Sequence, residues 1–165
     1  MKISYPTIED IAQMNVVAEE IFGAEEDTTQ TKPTIENALK LIAIDKNNFV
    51  CVKDGEKIIA WTVTLPTSKQ NMNEFLDGKI TERELSERSK KNHSFETLYL
   101  MAGITLPEYQ RKGLYSLCRK YQIEYFKTKY GIHDFYAMPF SPEGEKALAK
   151  VEKNLKIQIK IPSQT

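Results

Sequence analysis

Cysteine is scarce in this chain of 165 residues. Cys51 and Cys118 lie far apart and fit no metal-binding spacing, so they read as buried free thiols of a reducing compartment rather than as a disulfide or a zinc site. His93 and His133 are isolated, and no metal site is expected from them. No apolar run approaches the roughly 20 residues that cross a bilayer, which argues against a membrane-embedded protein. Met1–Pro6 lacks the apolar stretch of a secretion signal, so a cytoplasmic location is expected. A surplus of either charge is missing too: Lys plus Arg is 23 and Asp plus Glu is 23. Without excess cations to displace counterions, a dedicated nucleic-acid binder is not expected. No internal repeat is visible.

What is present fits one globular domain: 41% hydrophobic and 28% charged residues. Lys2–Tyr5 can begin a strand. Thr7 with Asp10 resembles a capping box, and Ile8, Ile11, Val17 and Ile21 recur at near-helical spacing up to Gly23. A second helix is expected after Thr34. Phe49–Lys53 and Ile58–Leu65 flank Asp54-Gly55, a hairpin signal. Residues 67–93 are polar and helical, and their few large apolar residues suggest an excursion that covers the core as a partial lid. Phe95–Leu106 is the most apolar strand. A helix from Gly113 to about Tyr130, a short strand at Phe135–Met138, a helix after Ser141-Pro142 and an alternating strand Leu155–Ile161 complete the chain. Helices interleave with strands, so the class is mixed α/β, with a crossover that favours parallel pairing of the strands at 95–106 and 135–138.

The informative segment is Leu100–Tyr115, LMAGITLPEYQRKGLY. A buried strand ends at proline, a basic loop follows, and glycine opens a long helix. The first amides of a helix have no internal partners and sit at the positive end of its dipole, which suits a phosphate; Arg111 and Lys112 add charge. Read alone, the segment could equally be an ordinary strand-to-helix turn with solvated cations.

This segment resembles the coenzyme-A loop of the GNAT (Gcn5-related N-acetyltransferase) superfamily, Gln/Arg-x-x-Gly-x-Gly/Ala. Gln110, Arg111, Lys112, Gly113 and Leu114 fit it, while Tyr115 stands where the pattern prefers a small residue. The element order is similar over about residues 1 to 161, ending one strand short of the family's C-terminal hairpin, which leaves strand supply by a second copy, and so a homodimer, open. The resemblance implies a mostly antiparallel central sheet with splayed parallel strands, flanked by helices. It implies acetyl-CoA as cosubstrate, no metal, and transfer of an acetyl group to an amine of a small molecule or peptide. Amides from Arg111 to Tyr115 would cradle the pyrophosphate, the backbone of Ile104 and Thr105 would pair with the pantetheine arm, and Ser141 falls where members carry a coenzyme-contacting asparagine. Members that use a glutamate base carry it at the position of Tyr99, and their tyrosine acid falls at Leu148. With both absent, Tyr99, Glu96 and Tyr136 are the catalytic candidates, and the loop Glu25-Glu26-Asp27 is the candidate acceptor site. A coenzyme-binding regulatory module without efficient catalysis is the alternative.

Overall fold

The structure is a computed structural model that describes residues 1–23 and 27–163. Helix α1 (Ile8–Phe22) begins at Thr7, whose hydroxyl accepts from the Asp10 N–H while the Asp10 carboxylate accepts from the Thr7 N–H. It stops at Gly23, in the left-handed region. Thr34 caps α2 (Ile35–Ile44). Strands β1 (Phe49–Asp54) and β2 (Lys57–Thr67) form the hairpin, with Asp54 facing Lys57 across the turn. Helices α3 (Lys69–Leu76) and α4 (Glu82–Lys91) follow, capped by Ser68 and Thr81. Then come β3 (Thr97–Thr105), a 3₁₀ turn at Pro107–Tyr109, α5 (Leu114–Tyr130), β4 (Asp134–Tyr136), α6 (Pro142–Leu155) and β5 (Ile159–Lys160).

The sheet runs in the order β1-β2-β3-β4-β5, antiparallel up to β3 and parallel from β3 to β5. One face carries α1 to α4, packed on Phe49, Trp61, Val63, Tyr99 and Met101. The other carries α5 and α6, packed on Leu98, Leu100 and Phe135 and, nearer the hairpin, on Val50, Val52 and Ile59. Alternation along the strands divides these two cores, since successive side chains point to opposite faces.

Three sequence expectations need correction. Lys2–Tyr5 makes only a single bridge, Ser4 with Cys51. The alternation at Leu155–Ile161 is strand only at Ile159–Lys160, because Leu148, Val151 and Leu155 also fit a helical stripe and α6 extends to Leu155 before Lys156 turns left-handed. The helices at 69–91 are core elements rather than a lid: Met72, Phe75 and Leu85 are buried with the main cluster. Few apolar residues suffice there because nearly all of them point inward.

Two features of β3 position the site. Its parallel pairing with β4 lasts only from Thr97 to Tyr99, so the edge of β3 from Leu100 to Thr105 has no β4 partner. On the other edge, Val63 faces Ala102 while Thr64 faces Leu100, leaving Met101 as the extra residue of a β-bulge.

Candidate active site

The open edge of β3 leads to the N-terminus of α5. Pro107 turns the chain, and Gln110 turns back so that its side-chain amide donates to the Thr105 carbonyl at 3.4 Å. Arg111 has φ 65° and Gly113 φ 76°, both left-handed. Alternating left- and right-handed residues turn successive N–H groups into one concavity, an anion nest. Thr7, Thr34, Ser68, Thr81 and Ser141 each cap their helix with a side-chain oxygen, but Gly113 gives α5 no side-chain cap. The first amides of α5 therefore face outward. A Cβ built on Gly113 meets nothing within 4 Å, so the glycine is there for its backbone angle and not for want of space.

The loop is braced from outside. The Tyr109 hydroxyl donates to Asp54 at 2.7 Å, and Lys57 pairs with Glu108 at 3.0 Å, tying the loop to the hairpin. Arg111 and Lys112 are exposed, with the Lys112 ammonium 5.2 Å from the centre of the Tyr109 ring. These groups fit a coenzyme pyrophosphate: outward amides, two exposed cations and open space. Leu114 is buried against Val50 and Val52 and can offer only its backbone. Tyr115 turns its ring away from the loop and onto β3, where a Cβ on Gly103 would come within 2.3 Å of it. Gly103 is thus a glycine of close approach.

Behind the bulge lies Arg119, 1% exposed. Its Nη1 donates to the Val63 carbonyl at 2.9 Å and to Gln122 Oε1 at 3.3 Å, its Nη2 to the Ala102 carbonyl at 2.6 Å, and its Nε to the Tyr115 hydroxyl at 3.2 Å. A bulge leaves ladder groups without strand partners, and the guanidinium supplies donors for them. Among the described residues no carboxylate pairs with it.

On the opposite face, a mostly apolar cavity of about 90 Å³ opens between α1, α2 and the sheet. Its walls include Met14, Ala18, Leu41, Phe49, Trp61, Val63, Met101 and Ile104, and its rim includes Gln30 to Thr34 and Asn37. Met101, the bulged residue, and Ile104 belong to both this cavity and the open stretch of β3, so the cleft and the cavity meet there.

Among the described residues, the carboxyl that lines this cavity is Glu82, at the first turn of α4 and 5% exposed. Glu82 Oε2 accepts from the Tyr99 hydroxyl at 2.6 Å, and Oε1 accepts from the Thr31 N–H at 3.1 Å. Burial pushes its pKa up, against those two hydrogen bonds, which favour the ionised form. Neighbouring Arg83 pins the rim, donating to the Gln30 and Asp27 carbonyls. Lys90, on the same helix, donates to Asn37 at 2.7 Å, and its amine is pushed down to about 8, first by burial and then by Lys40.

The sequence candidates fall into distinct places. Tyr99 is fully buried, and burial with the Glu82 charge holds its hydroxyl neutral far above the usual range. Tyr136 is fully buried beside it, ring centres 5.0 Å apart, but its hydroxyl bonds Thr67. Glu96 stands exposed just outside β3 and accepts from the Lys69 N–H. The bulge at Met101 lies beyond it, so nothing turns it toward Tyr99. Ser141 accepts from the Gly144 N–H as the cap of α6. Asp27 accepts from the Thr29 hydroxyl and N–H and from Gln30, which hold its carboxylate below the usual range. Glu25 and Glu26 lie outside the described residues. Sequence reasoning missed Glu82, which looked like an ordinary first-turn acid beside the capping box of Thr81 and Glu84. It also missed Arg119, though an arginine on the buried stripe of Cys118, Gln122 and Phe126 was a visible signal.

Among the described residues no group of three or more His, Cys, Asp or Glu could hold a metal, and no helix is long and apolar enough to cross a membrane. No protein-family model and no curated protein matches the sequence. Solved structures do resemble this one. The loading GNATL domain of CurA from Lyngbya majuscula superposes with a TM-score of 0.57 at 17% identity over 80% of this chain, which spans 61% of that one. An aminoglycoside acetyltransferase from an uncultured soil metagenomic sample, in complex with trehalose, gives 0.52 at 15% identity over 92% of this chain and 85% of its own. A possible acetyltransferase from Clostridium difficile 630 gives 0.50 at 14% identity over 95% and 90%. With its splayed β3 and β4, its bulge at Met101 and the open amides of α5, the chain has the fold of the GNAT acetyltransferases.

Proposed function

We propose that the protein transfers an acetyl group from acetyl-CoA to an amine. One observation carries this reading: the unpaired edge of β3, Leu100–Thr105, runs directly into the nest of Arg111 and Gly113 at the uncapped end of α5. A long ligand with a pairing arm and a diphosphate fits that continuity, and the acetyltransferase neighbours support it. Acetyl-CoA supplies the activated acetyl group as a thioester. Amides from Gly113 to Tyr115 hold the diphosphate, Arg111 and Lys112 lend it charge, and Ile104 and Thr105 offer backbone to the arm. The bulge at Met101 turns backbone groups out of the ladder at the point where the cleft meets the cavity, and the acceptor enters by the cavity. The reading places the protein in the cytoplasm, where buried thiols such as Cys51 and Cys118 stay reduced.

A coenzyme-binding module without efficient catalysis is the second reading. It is favoured by Leu148, a core side chain at the position where the family's tyrosine acid stands. Calorimetric titration of acetyl-CoA tests the shared part of both readings, and turnover with amines separates them. Wild type should bind acetyl-CoA, and absence of binding refutes both.

A further inference from the structure

We propose that Glu82 is the proton acceptor of this transfer, and that its cavity selects an amine with an apolar body and a single positive charge. The inference rests on the acetyl-transfer reading and goes beyond it in naming a base and an acceptor class.

An amine reaches the protein as an ammonium and must lose a proton before it can attack. Along the apolar walls of Met14, Leu41, Trp61 and Met101, a cation is poorly solvated and needs a counter-charge. Among the described residues lining the cavity, Glu82 is the carboxyl that can supply it. The same walls then favour neutralisation. An ammonium–carboxylate pair in an apolar cavity carries two desolvated charges, whereas the amine and carboxylic acid that follow proton transfer carry none. The proton passes from nitrogen to a Glu82 oxygen, the neutral amine forms its C–N bond to the acetyl carbon as the C–S bond breaks, and the nitrogen's second proton goes to the departing sulfur. Glu82 returns its proton to water.

The charged and titratable groups around Glu82 are consistent with this role. Tyr99 on β3 donates to the carboxylate and fixes its orientation, so Tyr99 is a positioning residue. Asp27 across the rim disfavours its charge, whereas Lys90 on α4 favours it; Lys32 also stands at the cavity rim. A second cation on the acceptor would find no buried partner among these groups, so polyamines and aminoglycosides are disfavoured.

The test uses the full chain with phenethylamine and spermidine as acceptors and acetyl-CoA affinity measured in parallel. Phenethylamine should be the better substrate. Glu82→Gln should leave acetyl-CoA affinity unchanged and lower kcat by about 100-fold or more. Tyr99→Phe removes a donor that favours the carboxylate, so the acid limb of its pH–rate profile should move to higher pH. Glu82→Gln should also unfold at a higher temperature than wild type in mildly alkaline buffer, because it removes a buried charge. Wild-type kcat in Glu82→Gln overturns the base assignment, and preference for spermidine overturns the acceptor class. If acetyl-CoA fails to bind wild type, the transfer reading falls instead. Phenethylamine titrated alone then decides the cavity: binding lost in Glu82→Gln supports it, and equal binding overturns it. Should Glu82→Gln not fold, an unshifted Tyr99→Phe profile overturns the proposal.

Discussion

Two glycines at the cleft serve opposite needs. Gly113 needs its positive φ, and its Cβ position is open, so Asp, which tolerates the left-handed region better than most residues, can replace it with little loss of fold. The carboxylate would then face the bound diphosphate: two like charges ~4 Å apart at an effective dielectric of ~20 repel by ~4 kcal/mol. Gly113→Asp is therefore expected to weaken acetyl-CoA about a thousandfold by calorimetry, with circular dichroism unchanged. Neutralising Arg111 and Lys112 together should cost less, because exposed cations add under ~1 kcal/mol each, and should flatten the salt dependence. Gly103 needs space instead. Gly103→Ala drives a methyl into the Tyr115 ring and should destabilise by about 1–3 kcal/mol in urea unfolding, whereas in a Tyr115→Ala background, which carries its own cost, the same change should cost much less. If Gly103→Ala costs as much in the Tyr115→Ala background as in wild type, the contact is not the cause.

The helices α3 and α4 are where packing departs from what the composition suggests. Phe75 meets Tyr99 edge-on at 5.2 Å and lies 5.9 Å from Tyr136, and Leu85 is fully buried. Phe75→Ala should cost about 3–5 kcal/mol and Leu85→Ala about 2–5 kcal/mol, measured by denaturant unfolding. A surface lid would lose well under ~1 kcal/mol from either. Local signals made most elements legible: the caps at Thr7, Thr34, Thr81 and Ser141, the glycine stops at Gly23 and Gly131, and the Asp54-Gly55 hairpin all depend on near neighbours. The loop at Pro107–Gly113 was legible for the same reason, being one unbroken segment. The cavity around Glu82 was not. It assembles Met14, Leu41, Trp61 and Glu82 from four elements, and nothing in the short-range pattern at Thr81–Glu84 says that Glu82 turns inward while Glu84 closes the cap. Arg119 was hidden likewise, since its purpose is set by a bulge on another strand.

The whole molecule carries titrating groups that pull its stability in opposite directions. Asp45 is raised by burial, but hydrogen bonds from Tyr125, Asn47 and Tyr130 outweigh this and hold its pKa below the usual 3.8. Asp10 is held low in the same way against burial by Lys53 and Thr7. The native state binds fewer protons than the unfolded chain at these groups, so their contribution is present above pH 3.8 and is lost as pH falls through their depressed values. Glu82 behaves oppositely: its pKa is raised, the native state holds its proton longer, and stability declines as pH rises from 4.5 through the raised value. Unfolding free energy should therefore peak in mildly acidic buffer, with Asp45→Asn flattening the acid limb and Glu82→Gln the other. If both variants keep the wild-type profile, these groups do not set it. The open amides of α5 have a consequence for a crowded cell. Backbone N–H groups greet nucleotides, sugar phosphates and free phosphate alike, so charge alone gives the loop little discrimination. On the proposed reading, selectivity then falls to reach: of all the phosphorylated metabolites that knock at the helix, those with a slender arm long enough to lie along Leu100–Thr105 would stay.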